Sequence, residues 1–92
     1  MIESAAVRYF RKVTECGSIK QAAASLRIAP SAISRQVQAI EDELAVKLFE
    51  RGARGMVLTD AGQLLYRYAV ENRDQLDDIR AKVQEFGLVR RG

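Results

Sequence analysis

The sequence has no histidine, one cysteine, one proline, and no apolar run approaching the roughly eighteen residues of a bilayer-spanning helix. Each scarcity removes a class of function. Without histidine the commonest general base and metal ligand is missing, so neither a catalytic nor a metal site is expected. Cys16 has no imidazole to activate it and no second thiol to pair with; it reads as a small buried residue in a reducing compartment. No glycine-rich phosphate loop or cysteine pair occurs. A single proline and six glycines exclude a collagen-like or low-complexity chain. Arg8, Arg11 and Lys12 interrupt the only early apolar stretch, which argues against a secretory leader. The expected location is the cytoplasm, associated with the nucleoid and not with a membrane.

What is present suits one small domain with an appendage: 92 residues, 48% apolar and 29% charged. The net charge of +3 is unevenly spread. Residues 1–58 hold nine Lys/Arg against six Asp/Glu, whereas residues 59–92 hold six of each. The positive excess therefore sits in the first part, where phosphate binding would need it.

Residues 18–37, SIKQAAASLRIAPSAISRQV, organise the rest. Ser18 and Gln21 form a Ser-x-x-Gln helix start. Ile19, Ala22, Ala23 and Leu26 follow at helical spacing, and the Ala22–Ala24 run admits a close neighbouring helix. Arg27-Ile28-Ala29 breaks the pattern. Pro30 suits the first position of a new helix, where its missing N–H is no loss. From there Ile33, Val37, Ile40 and Leu44 share an apolar face, while Ser31, Ser34, Arg35 and Gln38 share a polar, donor-rich one. Two helices joined by a tight turn, the second with that outer face, predict a helix-turn-helix that binds double-stranded DNA. Glu41-Asp42-Glu43 would repel phosphate, so the Pro30 end is the one expected to enter a groove.

Around this unit, residues 3–16 read as a first helix with Ala6, Phe10 and Val13 inward, ended by Gly17. Val46 to Phe49 reads as a helical turn packing Leu48 and Phe49 into the core. Arg51-Gly52-Ala53-Arg54-Gly55, between apolar segments, suggests a hairpin over about 50–58 whose Arg51 and Arg54 suit a narrow minor groove; a solvated loop is the alternative. Thr59 and Asp60 start a final helix to about Phe86. Ala61, Leu65, Tyr68, Asn72, Leu76, Ile79, Val83 and Phe86 form a stripe along it, with a stutter at Asn72–Leu76. Such a helix is roughly 40 Å long, too long to bury its stripe on the small domain before it, so an antiparallel copy from a second chain is the expected partner. Asn72 is a candidate for setting the register.

With these residues in place, the chain resembles the N-terminal domain of LysR-type transcriptional regulators. The matching stretches are YF-x-x-V-x-E-x-GS (Tyr9–Ser18), AA-x-x-L (Ala22–Leu26), AISRQV (Ala32–Val37), IEDEL (Ile40–Leu44), KLFER (Lys47–Arg51) and LT-x-AG (Leu58–Gly62). The resemblance implies a mainly α fold: a winged helix-turn-helix over 1–59, a linker and dimerisation helix over 60–87, and the start of a hinge over 88–92. It implies a recognition helix in the major groove, a wing in the minor groove, and a homodimer through residues 60–86 spanning an interrupted palindrome. The parent is left open between dimer and tetramer. No cofactor is implied for this stretch; a small-molecule effector is expected on a C-terminal domain that these residues do not include. Ser34 and Arg35 match the recognition-helix Ser-Arg, with Arg35 suited to guanine and Ser34 to a phosphate or base edge. Ser18 and Gln21 would meet phosphate, and Arg51 and Arg54 would serve the wing. Two departures stand out. Ala29-Pro30-Ser31 replaces the usual Ser-Gln-Pro, which removes a base-reading glutamine, and Ala45 replaces a glycine. A protein-interaction module built on the long helix is the rival of a different class. A molybdate-responsive regulator is the nearer rival, disfavoured by the LVRRG segment, and an enzyme the remote one.

Overall fold

A computed structural model describes residues 4–53 and 55–91. The order is α1 (Ala5–Cys16), α2 (Ile19–Leu26), α3 (Pro30–Leu44), β1 (Phe49–Gly52), β2 (Gly55–Leu58) and α4 (Asp60–Arg91). The mainly helical reading with a two-stranded hairpin holds.

Local chemistry accounts for the boundaries. The Ser4 hydroxyl accepts from Val7 N at 3.2 Å, and the Ser18 hydroxyl accepts from Gln21 N at 3.0 Å, so both first helices start on a serine cap. Helix α1 ends at Gly17 in the left-handed region, its N–H donating to the Val13 carbonyl at 2.9 Å. Helix α2 ends on Arg27, also left-handed, with Ile28 N donating to the Ala23 carbonyl at 3.1 Å. Pro30 opens α3 as anticipated, behind an Ala29 N-cap that offers no side-chain acceptor.

The three helices converge on Phe10, Val13, Ala22, Ala23, Ile33 and Val37, joined by Leu48 and Phe49 from the chain after α3. The Phe10 and Phe49 rings lie 5.3 Å apart at an interplanar angle of 49°. Ala22 and Ala23 are buried, while Ala24 is exposed. Leu44, expected on the apolar face of α3, is 50% exposed: it sits in the last turn, beyond the reach of α1, beside Leu64 and Tyr68 of α4.

Residues 46–48 are not the helical turn the sequence suggested. Ala45 takes the left-handed conformation (φ 56°, ψ 36°), and the chain then bends at Val46 and Leu48 before entering β1. Leu48 and Phe49 are buried as expected, at 1% and 8% exposure. The bonds that a helix would have supplied come from elsewhere. Leu48 N donates to the Glu41 carboxylate at 2.7 Å, and Thr59 N donates to the Leu48 carbonyl at 3.0 Å. Glu41, 9% exposed, is thus a structural anchor and not merely one of three acids at a helix end. The sequence reading missed that role.

Strands β1 and β2 pair antiparallel in the register Phe49↔Leu58 and Gly52↔Gly55. Gly55, at φ 119°, lets the hairpin close against the α1–α2 turn: a Cβ there would sit 2.9 Å from the Gly17 carbonyl oxygen. Met56 N donates to that same oxygen at 3.4 Å. Arg54, expected at the hairpin tip, lies outside the described residues.

Helix α4 begins with Thr59, whose hydroxyl accepts from Gly62 N at 3.0 Å and donates to the Lys47 carbonyl at 2.6 Å. The helix therefore starts and docks through one residue. Gly62 presses on Leu48, and Ala69 is fully buried. Gly62, Tyr66, Ala69 and Arg73 dock on the domain together with Ala61 and Leu65, the first members of the stripe the sequence emphasised. The helix continues past Phe86 to Arg91, because Gly87 weakens but does not stop a helix. The whole chain measures 55 × 26 × 22 Å.

Candidate nucleic-acid interface

Three elements present polar residues at the surface of the domain. Helix α3 turns Ile33 and Val37 into the core, which forces Ser31, Ser34, Arg35 and Gln38 outward; all four are exposed, as is Pro30 at the helix start. Arg35 is an exposed guanidinium with its fork turned to solvent. Gln38 Nε2 donates to the Asp42 carboxylate at 2.9 Å.

The N-terminus of α2 lies beside the hairpin. Ser18, Ile19, Arg51, Gly52, Gly55 and Met56 line a shared cleft of about 280 Å³. First-turn N–H groups of α2 lack intrahelical partners and point out of its start, the usual anion-binding arrangement. Ser18 uses its oxygen to cap Gln21 N and keeps its hydroxyl proton to donate. Gln21 and Arg51 are exposed on either side. The Met56–Gly17 bond fixes the hairpin relative to α2, so the cleft is held by backbone and not by flexible side chains alone.

The residues expected at a dimer seam divide into two groups. Leu65 is half-buried on the domain core, and Leu76 is half-buried in a groove with Ala5 and Arg8 of α1. Asn72 is also half-buried. Tyr68, Ile79, Val83 and Phe86 are exposed at 56%, 43%, 55% and 74%, with no covering element among the described residues. Leu44, Val46, Leu48, Ala61, Leu64, Leu65 and Tyr68 line an apolar depression at the start of α4. Among the described residues no group of His, Cys, Asp or Glu could hold a metal ion. No described helix is long and apolar enough to cross a membrane.

Residues 4–63 match the family model described as the bacterial regulatory helix-turn-helix protein, lysR family. The chain is 40% identical over 81 residues to the nitrogen assimilation regulatory protein nac of Escherichia coli K12, covering 88% of this chain and 27% of that protein. It is 36% identical over 83 residues to the transcriptional regulator BenM of Acinetobacter baylyi, covering 90% of this chain and 27% of BenM. The chain thus spans little more than a quarter of the length of these curated relatives. Among solved structures, the BenM DNA-binding domain in complex with benA site 1 DNA aligns with a TM-score of 0.85 at 35% identity, covering 92% of this chain and 99% of that one. The CbnR DNA-binding domain in its DNA complex aligns at 0.82 with 31% identity, covering 94% and 99%. These relatives are transcriptional regulators and not enzymes. The helices, the two-stranded hairpin and the long final helix match the fold of those domains, and the chain belongs to the LysR family as a helix-turn-helix DNA-binding domain of a transcriptional regulator.

Proposed function

We propose that this domain reads an interrupted palindrome as a homodimer, with α3 in the major groove and the β1–β2 wing at the adjacent minor groove. The observation that carries the reading is the exposed face of Ser31, Ser34, Arg35 and Gln38 on α3, together with the cleft that the α2 start shares with Arg51 of the hairpin. A surface built to bind protein would present aromatic or aliphatic anchors there. In this reading Arg35 contacts guanine through its fork, and Ser34 contacts a phosphate or base edge. Ser18 and Gln21 hold phosphate. Arg51 and Arg54 serve the wing, and Pro30 and Ser31 stand where relatives place a base-reading glutamine. Residues 1–59 form the DNA-reading unit and 60–87 the linker helix. Leu65, Tyr68, Asn72, Leu76, Ile79 and Val83 contribute to pairing through 60–86, with Ile79, Val83 and Phe86 free to meet a partner helix.

The parent regulator, on this proposal, is cytoplasmic and takes a small-molecule effector on a further domain, like the full-length proteins of which this chain covers only a fraction. Binding to genomic fragments in competition with random DNA, at two salt concentrations, tests the reading. Enrichment of an interrupted palindrome with affinity falling steeply as salt rises is expected. Equal, weak binding to all fragments would sink it and favour a protein partner for α4.

A further inference from the structure

A polar cluster between α1 and α4 plays no part in the proposed DNA interface. The Glu15 carboxylate accepts from the Arg11 guanidinium at 3.2 and 3.4 Å, and from the Tyr66 hydroxyl at 3.1 Å. The Arg73 guanidinium lies 4.0 Å from the same carboxylate. Arg11 is 6% exposed, whereas the Glu15 and Arg73 side chains are 30% and 39% exposed, so the cluster is only partly withdrawn from water. Tyr66 and Arg73 are two turns apart on α4, so a single carboxylate clasps two turns of that helix to α1. Just beyond, Arg8, Arg73, Asp77 and Arg80 line one groove. From Asp77 to Leu88 every residue of α4 is exposed.

We propose that Glu15 is a positioning residue for DNA reading: its clasp on Tyr66 and Arg73 sets the angle at which α4 leaves the domain, and so the separation of the two recognition helices. The inference rests on the dimeric reading above. Apolar contacts at Ala61, Leu65 and Ala69 hold α4 down but are non-directional. The Tyr66–Glu15 hydrogen bond is directional and fixes rotation as well as contact, with the Arg73 ion pair one clasp further along. The lever is long. From Tyr66 to Phe86 the helix extends roughly 30 Å, so a pivot of about 10° moves its far end about 5 Å. With about 34 Å per helical turn of DNA, that displacement amounts to roughly one and a half base pairs of half-site spacing. Charge works in the same direction. Glu15 offsets a groove that otherwise gathers Arg8, Arg11, Arg73 and Arg80 around Asp77, and without it their repulsion opens the angle.

The test compares the unaltered domain with Glu15→Gln and Tyr66→Phe on duplexes carrying the selected palindrome, with the spacer lengthened or shortened by one and two base pairs. The unaltered domain should lose about tenfold or more in affinity for a two-base-pair change, because the second half-site no longer engages simultaneously. Both variants should flatten that ratio to about threefold or less, while affinity for an isolated half-site stays unchanged. A merely structural role would weaken every duplex in proportion and leave the ratio intact. That result in both variants overturns the inference and spares the dimer. An unaltered domain indifferent to spacing, or recovering no palindrome, removes the dimeric reading and this inference with it. Should Glu15→Gln fail to fold by circular dichroism, Tyr66→Phe, which removes one hydroxyl, decides.

Discussion

Gly62→Ala separates what a helix rule predicts from what this fold requires. Gly62 lies in the first turn of α4, where replacing glycine by alanine ordinarily gains up to about 1 kcal/mol. Here an added Cβ would overlap the Leu48 carbonyl oxygen outright and lie 2.9 Å from Leu58 Cδ2 and 3.1 Å from the Leu48 carbonyl carbon. Two of the three contacts are backbone atoms, fixed by the Glu41–Leu48 bond before them and the Thr59–Leu48 bond after. Neither can rotate away, so α4 must move. Overpacking of this kind costs about 1–3 kcal/mol. Moving α4 also stretches the Thr59 bonds to Leu48 and Lys47, each contributing about 1 kcal/mol. Setting the propensity gain against these losses leaves a net destabilisation of about 2–3 kcal/mol. For a domain of this size that lowers Tm by roughly 10–20 °C. Thermal denaturation followed by circular dichroism measures it. A Tm equal to or above that of the unaltered domain would refute the close-packing argument.

Ala45→Gly should act in the opposite sense. Relief of left-handed strain at Ala45, about 1–2 kcal/mol, exceeds the roughly 0.4–1 kcal/mol lost to a freer unfolded chain, so Tm should rise by a few degrees. An unchanged or lower Tm would show that the position is not strained. Arg35→Ala, at an exposed site, should cost about 1–3 kcal/mol of specific DNA binding with no change in Tm, and an unaltered preference for target over random duplex would remove Arg35 from the readout. Val83→Asp should dissociate the dimer in sedimentation without unfolding the domain, since Val83 is 55% exposed here; a persistent dimer would place the seam elsewhere. The Tyr66 phenol is held above its ordinary value of 10.0 by partial burial, then by its bond to Glu15 and that carboxylate's charge, against the pull of Arg11 and Arg73. The fold therefore binds this proton more tightly than the unfolded chain does. The resulting stability is complete below about pH 10 and is lost as pH rises through the raised value. The Tm difference between the unaltered domain and Tyr66→Phe should be flat near neutrality and shrink in strong alkali; a difference independent of pH would dismiss the phenol's role.

By itself the sequence determined the elements whose causes are local. Ser18 as a cap, Gly17 as a stop, Pro30 as a helix opener and the inward run of Phe10, Val13, Ile33 and Val37 all follow from spacing and from single-residue chemistry. The outward face of Ser31, Ser34, Arg35 and Gln38 is the complement of that inward run, so the candidate DNA surface was legible too. Residues whose partners are distant in the chain were not. Glu41 sits among three acids that look alike in the sequence, and only the approach of Leu48 N selects it. The non-helical path after Ala45 defeated an apolar pattern that suits a helical turn equally well, because the bonds that decide it come from Glu41 and Thr59. Along α4 the apolar stripe drew notice, and its first members Ala61 and Leu65 do pack on the core; Gly62, Tyr66, Ala69 and Arg73, which dock beside them, carry a glycine, an alanine and polar tips that show no periodic apolar signal. Gly62 is required by how near Leu48 comes, and Glu15 matters because Tyr66, fifty-one positions later, reaches it. Helical periodicity and capping act within a few residues, so the sequence displays them. Close backbone approach and hydrogen bonds between residues distant in sequence exist only once the helices have packed, so the tertiary structure alone decided where α4 docks and that Glu15 holds it.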